Sequence, residues 1–98
     1  MSDTDLNALK ADRQEVYGPP DINHDGIAMQ WAPMLQPWSD HIAQMKPLPR
    51  HVVALMFTLL KVNRMRITFK QDNFDDARVY MQFAEEWQEA WHKQTETK

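Results

Sequence analysis

The segment at residues 50–67 would be apolar on almost every side of a helix, and it constrains the fold more than any other part of the chain. Its apolar side chains follow one another too closely to form a single stripe: Val52, Val53, Leu55, Met56, Phe57, Leu59, Leu60 and Val62. A helix that is apolar all round is a central, buried one. The run 52–60 is also far shorter than the roughly 20 residues that a membrane span needs. We therefore expect a soluble protein built around this helix.

Composition supports an all-α fold. A chain of 98 residues fits one domain, here residues 1–98. Its two glycines are too few for a fold of many short strands and tight turns. The absence of cysteine excludes a disulfide scaffold, a thiolate zinc site and cysteine catalysis. The N-terminus has neither a basic leader nor an apolar h-region, so we expect a cytoplasmic protein.

Three further helices are predicted around the central one. The first covers 5–16, begins at a cap among residues 2–4, and is stopped by Gly18 and the prolines that follow it. After a turn at 18–23, the second helix begins near Asn23 and should kink or break at Pro33. The proline-rich segment 36–49 is expected to be a loop that contains one helical turn.

The last helix is predicted over 73–92, with Asp72 or Asn73 as its cap. Its apolar residues recur at steps of three and four: Phe74, Ala77, Tyr80, Met81, Ala84, Trp87 and Trp91. The polar tail 93–98 should fray. The predicted architecture is a compact bundle of about four helices. It is expected to form homo-oligomers, because its apolar faces exceed what 98 residues can hide.

Charge is divided along the chain into acidic, basic and acidic thirds. Residues 1–40 contain seven acids and two bases, residues 41–71 six bases and no acid, and residues 72–98 seven acids and three bases. With a net charge of −3, binding to double-stranded nucleic acid is not expected. The acidic helices are expected to form ion pairs with the basic one. A more specific hypothesis is a small anion or phosphate site where basic and acidic side chains converge.

Two charged clusters could form such a site. Lys61 and Arg64 lie three residues apart near the end of the central helix and could hold phosphates. Asp72, Asp75 and Asp76 begin the last helix, and convergent carboxylates of this kind suit Mg²⁺. Simple pairing between the two clusters is the alternative. The E-E-x-x-E run at 85–89 is interpreted as a solvated face, and the scattered histidines offer no helical metal pair.

The chain resembles a family of small proteins found in phages and prophages. The resemblance covers residues 10–85 and rests on these positions, in order: Arg13, Tyr17, Gly18, Asn23, Ile27, Ala28, Trp31, Val53, Ala54, Leu55, Leu59, Leu60, Lys61, Arg64, Asp72, Asn73, Asp76 and Tyr80. That family is in turn loosely similar to the all-α, MazG-like nucleotide pyrophosphohydrolases, which use Mg²⁺ and have an E-E-x-x-E…E-x-x-D signature. Here the aspartates precede E-E-x-x-E on the same helix, so the order of the signature is reversed.

Three functions follow as hypotheses. The first is the binding of a small phosphorylated ligand, a nucleotide or nucleotide signal, without evident catalysis. Its phosphates would meet Lys61 and Arg64 with Arg13 nearby, and Tyr17 or Trp31 would stack a base. The second is the inhibition of a host protein, with Trp38 as an exposed anchor. The third is a Mg²⁺-dependent pyrophosphohydrolase that uses Asp72, Asp76 and Glu85.

Overall fold

The computed structural model of the protein describes residues 2–96, which form four long helices and one short one. The helices are α1 (Asp3–Tyr17), α2 (Pro20–Leu35), α3 (Ser39–Ala43), α4 (Arg50–Met65) and α5 (Gln71–Glu96), with a 3₁₀ turn at Gln36–Trp38 before α3. No strand occurs within residues 2–96, so the predicted all-α class is confirmed. None of the helices in this range combines the length and the hydropathy that crossing a membrane requires.

Helix α1 has the boundaries that its capping residues favour. The Ser2 hydroxyl accepts a hydrogen bond from the Asp5 backbone N–H at 3.1 Å, which satisfies one of the unpaired donors of the first turn. At the other end Gly18 has a φ of 81°, a left-handed conformation that favours glycine, and its N–H donates to the Gln14 carbonyl. The helix is therefore slightly longer than the predicted 5–16.

Helix α2 begins earlier than expected. It starts at Pro20, where a missing N–H costs nothing, so the turn predicted at 18–23 shrinks to Gly18 and Pro19. Of the kink or break predicted at Pro33, the break was wrong, since one helix continues to Leu35. Pro33 lies in the last turn, where a proline removes a single helical hydrogen bond.

The core lies mainly between α4 and α5, with α2 on the other side of α4. Small side chains, Ala54 on α4 and Ala77 and Ala84 on α5, are at most 9% exposed there. The expectation of a central helix buried all round was wrong for this chain, because Val53 and Phe57 are 37% and 41% exposed. Helices α1 and α2 do not extend over that side of α4.

Helix α5 is longer than predicted at both ends. It begins at Gln71, before Asp72 and Asn73, so neither of them caps it, and Asn73 is instead buried at 2% exposure. The tail expected to fray over 93–98 is helical as far as Glu96, and residues 97 and 98 lie outside the described residues.

Candidate functional site

The end of α1, the start of α2 and the end of α4 enclose a cleft of about 510 Å³. We call it the α1–α2 cleft. Its lining consists of Leu9, Lys10, Arg13, Gln14, Tyr17, Gly18, Pro20, Asn23, His24 and Arg64. Three of these side chains are cationic at neutral pH, and none of the ten is a carboxylate. The electrostatic potential of such a lining favours an anion.

Helical spacing explains why α1 presents cations here. Lys10, Arg13 and Tyr17 follow one another at steps of three and four, so they share one face of α1. Asp12 and Glu15 lie between them in sequence and are turned away from that face. The acidic character of α1 therefore does not neutralise the cleft.

Two cationic side chains lie over the Tyr17 ring. The Arg64 guanidinium carbon lies 4.9 Å from the centre of the Tyr17 ring, and Lys70 Nζ lies 5.7 Å from it. The ring is 7% exposed, which fits a cation–π contact that excludes water. Arg64 Nε is buried and has no hydrogen-bond partner among the described residues. A buried N–H group of this kind costs free energy unless an acceptor reaches it.

A buried polar network fixes the α2 wall of the cleft. Asn63 on α4 is 0% exposed, and its Nδ2 donates to the side-chain carbonyl of Asn23. Its Oδ1 accepts from Arg66 Nε at 2.9 Å. Gly26 permits this approach, because a Cβ there would lie 2.6 Å from Arg66 Nη2 and 2.9 Å from Asn63 Oδ1. The network thus holds Asn23, a residue of the cleft lining, against α4.

His24 has a defined proton position at the rim of the cleft. Its Nδ1 lies 2.6 Å from the Pro20 carbonyl oxygen, which can only accept, so Nδ1 carries the hydrogen. In this tautomer Nε2 is an acceptor.

The structure brings three of the five predicted ligand-binding residues together. Arg13, Tyr17 and Arg64 line the α1–α2 cleft. Lys61 does not line it, because its Nζ pairs with Asp76 Oδ2 at 2.9 Å. Trp31 does not line it either; its indole N–H donates to the Met56 carbonyl at 3.0 Å and links α2 to α4.

The three aspartates proposed for Mg²⁺ do not form a cluster in this chain. Asp76 pairs with Lys61, while Asp75 Oδ1 accepts from Gln71 and Arg78. Among residues 2–96, no group of three His, Asp or Glu side chains is placed to hold a metal ion. The arrangement is the pairing of acidic and basic segments that the sequence offered as the alternative.

Trp38 is not an exposed anchor. It is half-buried and makes edge-to-face contacts with His41, His51 and Trp91, at centroid distances of 5.2, 6.0 and 5.8 Å. His51 is 5% exposed, and this burial lowers its pKa from 6.5. The rings of Trp38, His41, His51 and Trp91 form a cluster where the start of α4 packs against the last turns of α5.

Sequence reasoning missed Lys10, Lys70 and the network around Asn63. The spacing of Lys10 to Arg13 and Tyr17 was a usable signal, since it repeats the helical step. Lys70 lies between α4 and α5, where no periodicity predicts the direction of a side chain. The Asn63–Asn23 contact joins residues 40 positions apart and depends on how α2 crosses α4.

The protein is therefore a small all-helical protein, and its candidate site is a cationic cleft that contains Tyr17. A family described as a domain of unknown function (DUF6378) matches residues 3–88, and the chain belongs to that family. No curated protein and no solved structure matches the chain significantly.

Proposed function

We propose that this protein binds a small phosphorylated ligand, a nucleotide or nucleotide signal, in the α1–α2 cleft. The observation that carries the proposal is a cleft lining that contains Lys10, Arg13 and Arg64 and no carboxylate, with Arg64 and Lys70 lying over the Tyr17 ring. Phosphate oxygens are the acceptors that a planar guanidinium binds best, through two parallel hydrogen bonds. Arg64 supplies such a guanidinium to the cleft, and its buried Nε has no hydrogen-bond partner among the described residues.

The cleft also supplies groups for the uncharged part of a nucleotide. Asn23 offers an amide, and His24 offers its ring nitrogen Nε2 as an acceptor. A cleft of about 510 Å³ lies within the 300–1,000 Å³ that small-molecule sites span. A ligand that carries Mg²⁺ on its phosphates would bring its own cation and would need no cage of three protein carboxylates.

The test is thermal unfolding of the full chain with nucleoside mono-, di- and triphosphates and inorganic pyrophosphate, each with and without Mg²⁺. A ligand at a hundred times its Kd stabilises the native state by about 2.7 kcal/mol. For a domain of this size each kcal/mol raises Tm by about 4–8 °C. No rise in Tm with any of these compounds at millimolar concentration would reject the proposal.

Matched variants locate the binding site. Arg13→Gln and Arg64→Gln each remove one cation from the cleft, and each should weaken binding roughly tenfold to a hundredfold by the loss of a charged hydrogen bond. Arg78→Gln is the control, because it removes the same charge from an exposed position on α5 that pairs with Asp75. If all three variants bind equally, the ligand is not in this cleft.

The other hypotheses remain predictions. Pyrophosphate release from a bound nucleotide, measured in the same samples, would support the MazG-like hydrolase over simple binding. Inhibition of a host protein no longer has Trp38 as an exposed anchor, because that ring packs in the aromatic cluster. The proposed ligand fits a cytoplasmic protein, in the host cytoplasm if the gene belongs to a phage.

A further inference from the structure

An apolar groove runs between α4 and α5 on the side that α2 leaves open. It has a volume of about 380 Å³, and its main walls are Val53 and Phe57 of α4 and Tyr80, Phe83 and Trp87 of α5. Two ring contacts order it, Phe57 with Tyr80 at 5.3 Å and Phe83 stacked on Trp87 at 5.1 Å. Val53, Phe57 and Phe83 are nevertheless 37–41% exposed. Ordered rings that stay exposed to water are typical of a surface that packs against something.

The charges of α5 avoid this groove. Glu85, Glu86 and Glu89 lie on the same stretch of helix, yet none of them lines it. The single charged residue of the lining is Arg50, at the first position of α4. A helix whose acids all lie elsewhere has the pattern of a helix buried on that face.

The spacing of the groove residues indicates that helices are the occupant. Along α5 the groove residues Tyr80, Phe83 and Trp87 follow one another at steps of three and four, and along α4 Arg50, Val53 and Phe57 do the same. This is the 3.5-residue repeat through which helices pack side by side.

The chain as a whole exposes more surface than a compact monomer of its mass. The chain has an accessible surface of 7405 Å², whereas a compact monomer of 11.6 kDa would have about 5,800 Å². The radius of gyration is 16.6 Å, against about 12.6 Å for a compact domain of 98 residues. The surplus of about 1,600 Å² belongs to the whole elongated chain, and burial of half of it would match the roughly 800 Å² per partner of a standard interface.

We infer that the occupant is a second copy of this chain, which packs its own α4–α5 groove face to face across a two-fold axis. A two-fold interface uses the same patch on both copies, so one apolar groove suffices to complete both. Arg50 lines one end of the groove. Asp76, one helical turn before Tyr80 on the same face of α5, lies beyond the other end, where its side chain pairs with Lys61 and remains 50% exposed. An antiparallel two-fold arrangement brings the Arg50 of each copy toward the Asp76 of the other.

This dimer is independent of ligand binding, because the α1–α2 cleft and the groove share no lining residue. Sedimentation velocity of the full chain at micromolar concentration should give a species of twice the 11.6 kDa chain mass. A monomer at every concentration up to about 100 µM would overturn the proposal, and so would a trimer or larger ring, which needs two different patches.

Two variants test whether the groove is the dimer interface. Phe83→Glu places a charge in the apolar centre and should shift the protein to monomer. Met81→Glu is the matched control, because Met81 is 48% exposed, lies outside the groove lining and should leave the dimer intact. Circular dichroism checks that both variants stay helical. A dimer that survives Phe83→Glu as well as Met81→Glu would place the interface elsewhere.

A second variant keeps the test valid if Phe83→Glu does not fold. Arg50→Glu changes an exposed end residue without creating a cavity, and it should raise the dimer dissociation constant at least tenfold at low salt. Adding Asp76→Arg to Arg50→Glu should recover part of that loss, and Asp76→Arg alone measures the effect of losing its pair with Lys61. No change in the dissociation constant with Arg50→Glu would rule out the antiparallel arrangement.

Discussion

Arg64 stacks its guanidinium 4.9 Å from the centre of the Tyr17 ring, and the contact joins the last turn of α4 to the last residue of α1. Tyr17 is the single residue of α1 that is buried, at 7% exposure. Stability and binding are therefore linked at this ring, since the cation that would meet a phosphate also packs on the residue that anchors α1.

Truncation of Tyr17 should weaken the fold substantially. We expect Tyr17→Ala to lower the free energy of unfolding by about 3–5 kcal/mol, because it removes a buried ring and leaves a cavity. Tyr17→Phe should cost less than about 1 kcal/mol, since the ring and the cation–π contact remain. Urea unfolding followed by circular dichroism measures both changes. Phe69→Ala is the control, because Phe69 is 73% exposed, and a Tyr17→Ala cost no larger than that of Phe69→Ala would contradict the anchoring role.

A methyl group at Gly26 should destabilise the α2–α4 crossing. In an ordinary helix Gly→Ala gains about 1 kcal/mol. Here the new Cβ would meet Asn63 Oδ1 at 2.9 Å, and Asn63 is fully buried and cannot move aside easily. Because overpacking costs about 1–3 kcal/mol, we expect a net loss of as much as about 2 kcal/mol in unfolding free energy.

The same substitution in an Arg66→Ala background separates the two clashes. Arg66 Nη2 would lie 2.6 Å from the new Cβ, so removing that side chain should reduce the cost of Gly26→Ala. A gain in stability from Gly26→Ala in the natural background would show that α2 and α4 are not in close contact at this point.

The ion pair between Lys61 and Asp76 should contribute a small coupling. Lys61 is 13% exposed and Asp76 50%, so water screens one end of the pair. A double-mutant cycle with Lys61→Met and Asp76→Asn should give a coupling of about 0.5–1 kcal/mol that falls with added salt. The Arg78–Asp75 pair, at 72% and 56% exposure, is the comparison and should couple less. Equal couplings would mean that burial of Lys61 does not strengthen its ion pair.

The Lys61–Asp76 ion pair also shows which features could be predicted from the sequence and which could not. The class of fold and the two long helices α4 and α5 were predictable, because their apolar residues recur with helical spacing. Lys61 and Arg64 were expected to act together because they are three residues apart. Three residues turn a helix through 300°, so the two side chains diverge by about 60°. That divergence is enough for Lys61 to reach α5 and for Arg64 to reach α1.

The role of Trp31 could not be predicted from the sequence either, because it depends on a contact between two helices. Its indole hydrogen bond to the Met56 carbonyl depends on the crossing of α2 over α4. No local pattern encodes that crossing. The same holds for Trp38, whose position in a proline-rich segment suggested exposure but whose ring meets Trp91 from the far end of α5.

Stability should fall as the solution becomes acidic, because burial lowers the pKa of His51 below 6.5 in the folded chain. The unfolded chain then binds a proton that the folded chain does not, so the stabilising contribution is complete above pH 6.5 and is lost as the pH falls toward the folded pKa. Each unit of difference between the two pKa values corresponds to about 1.4 kcal/mol. Urea unfolding at pH 7.5 and pH 5.5 measures the loss. His51→Gln should reduce the difference between the two pH values, whereas His24→Gln, at an exposed site, should preserve it. An undiminished pH dependence in His51→Gln would assign the effect to another group.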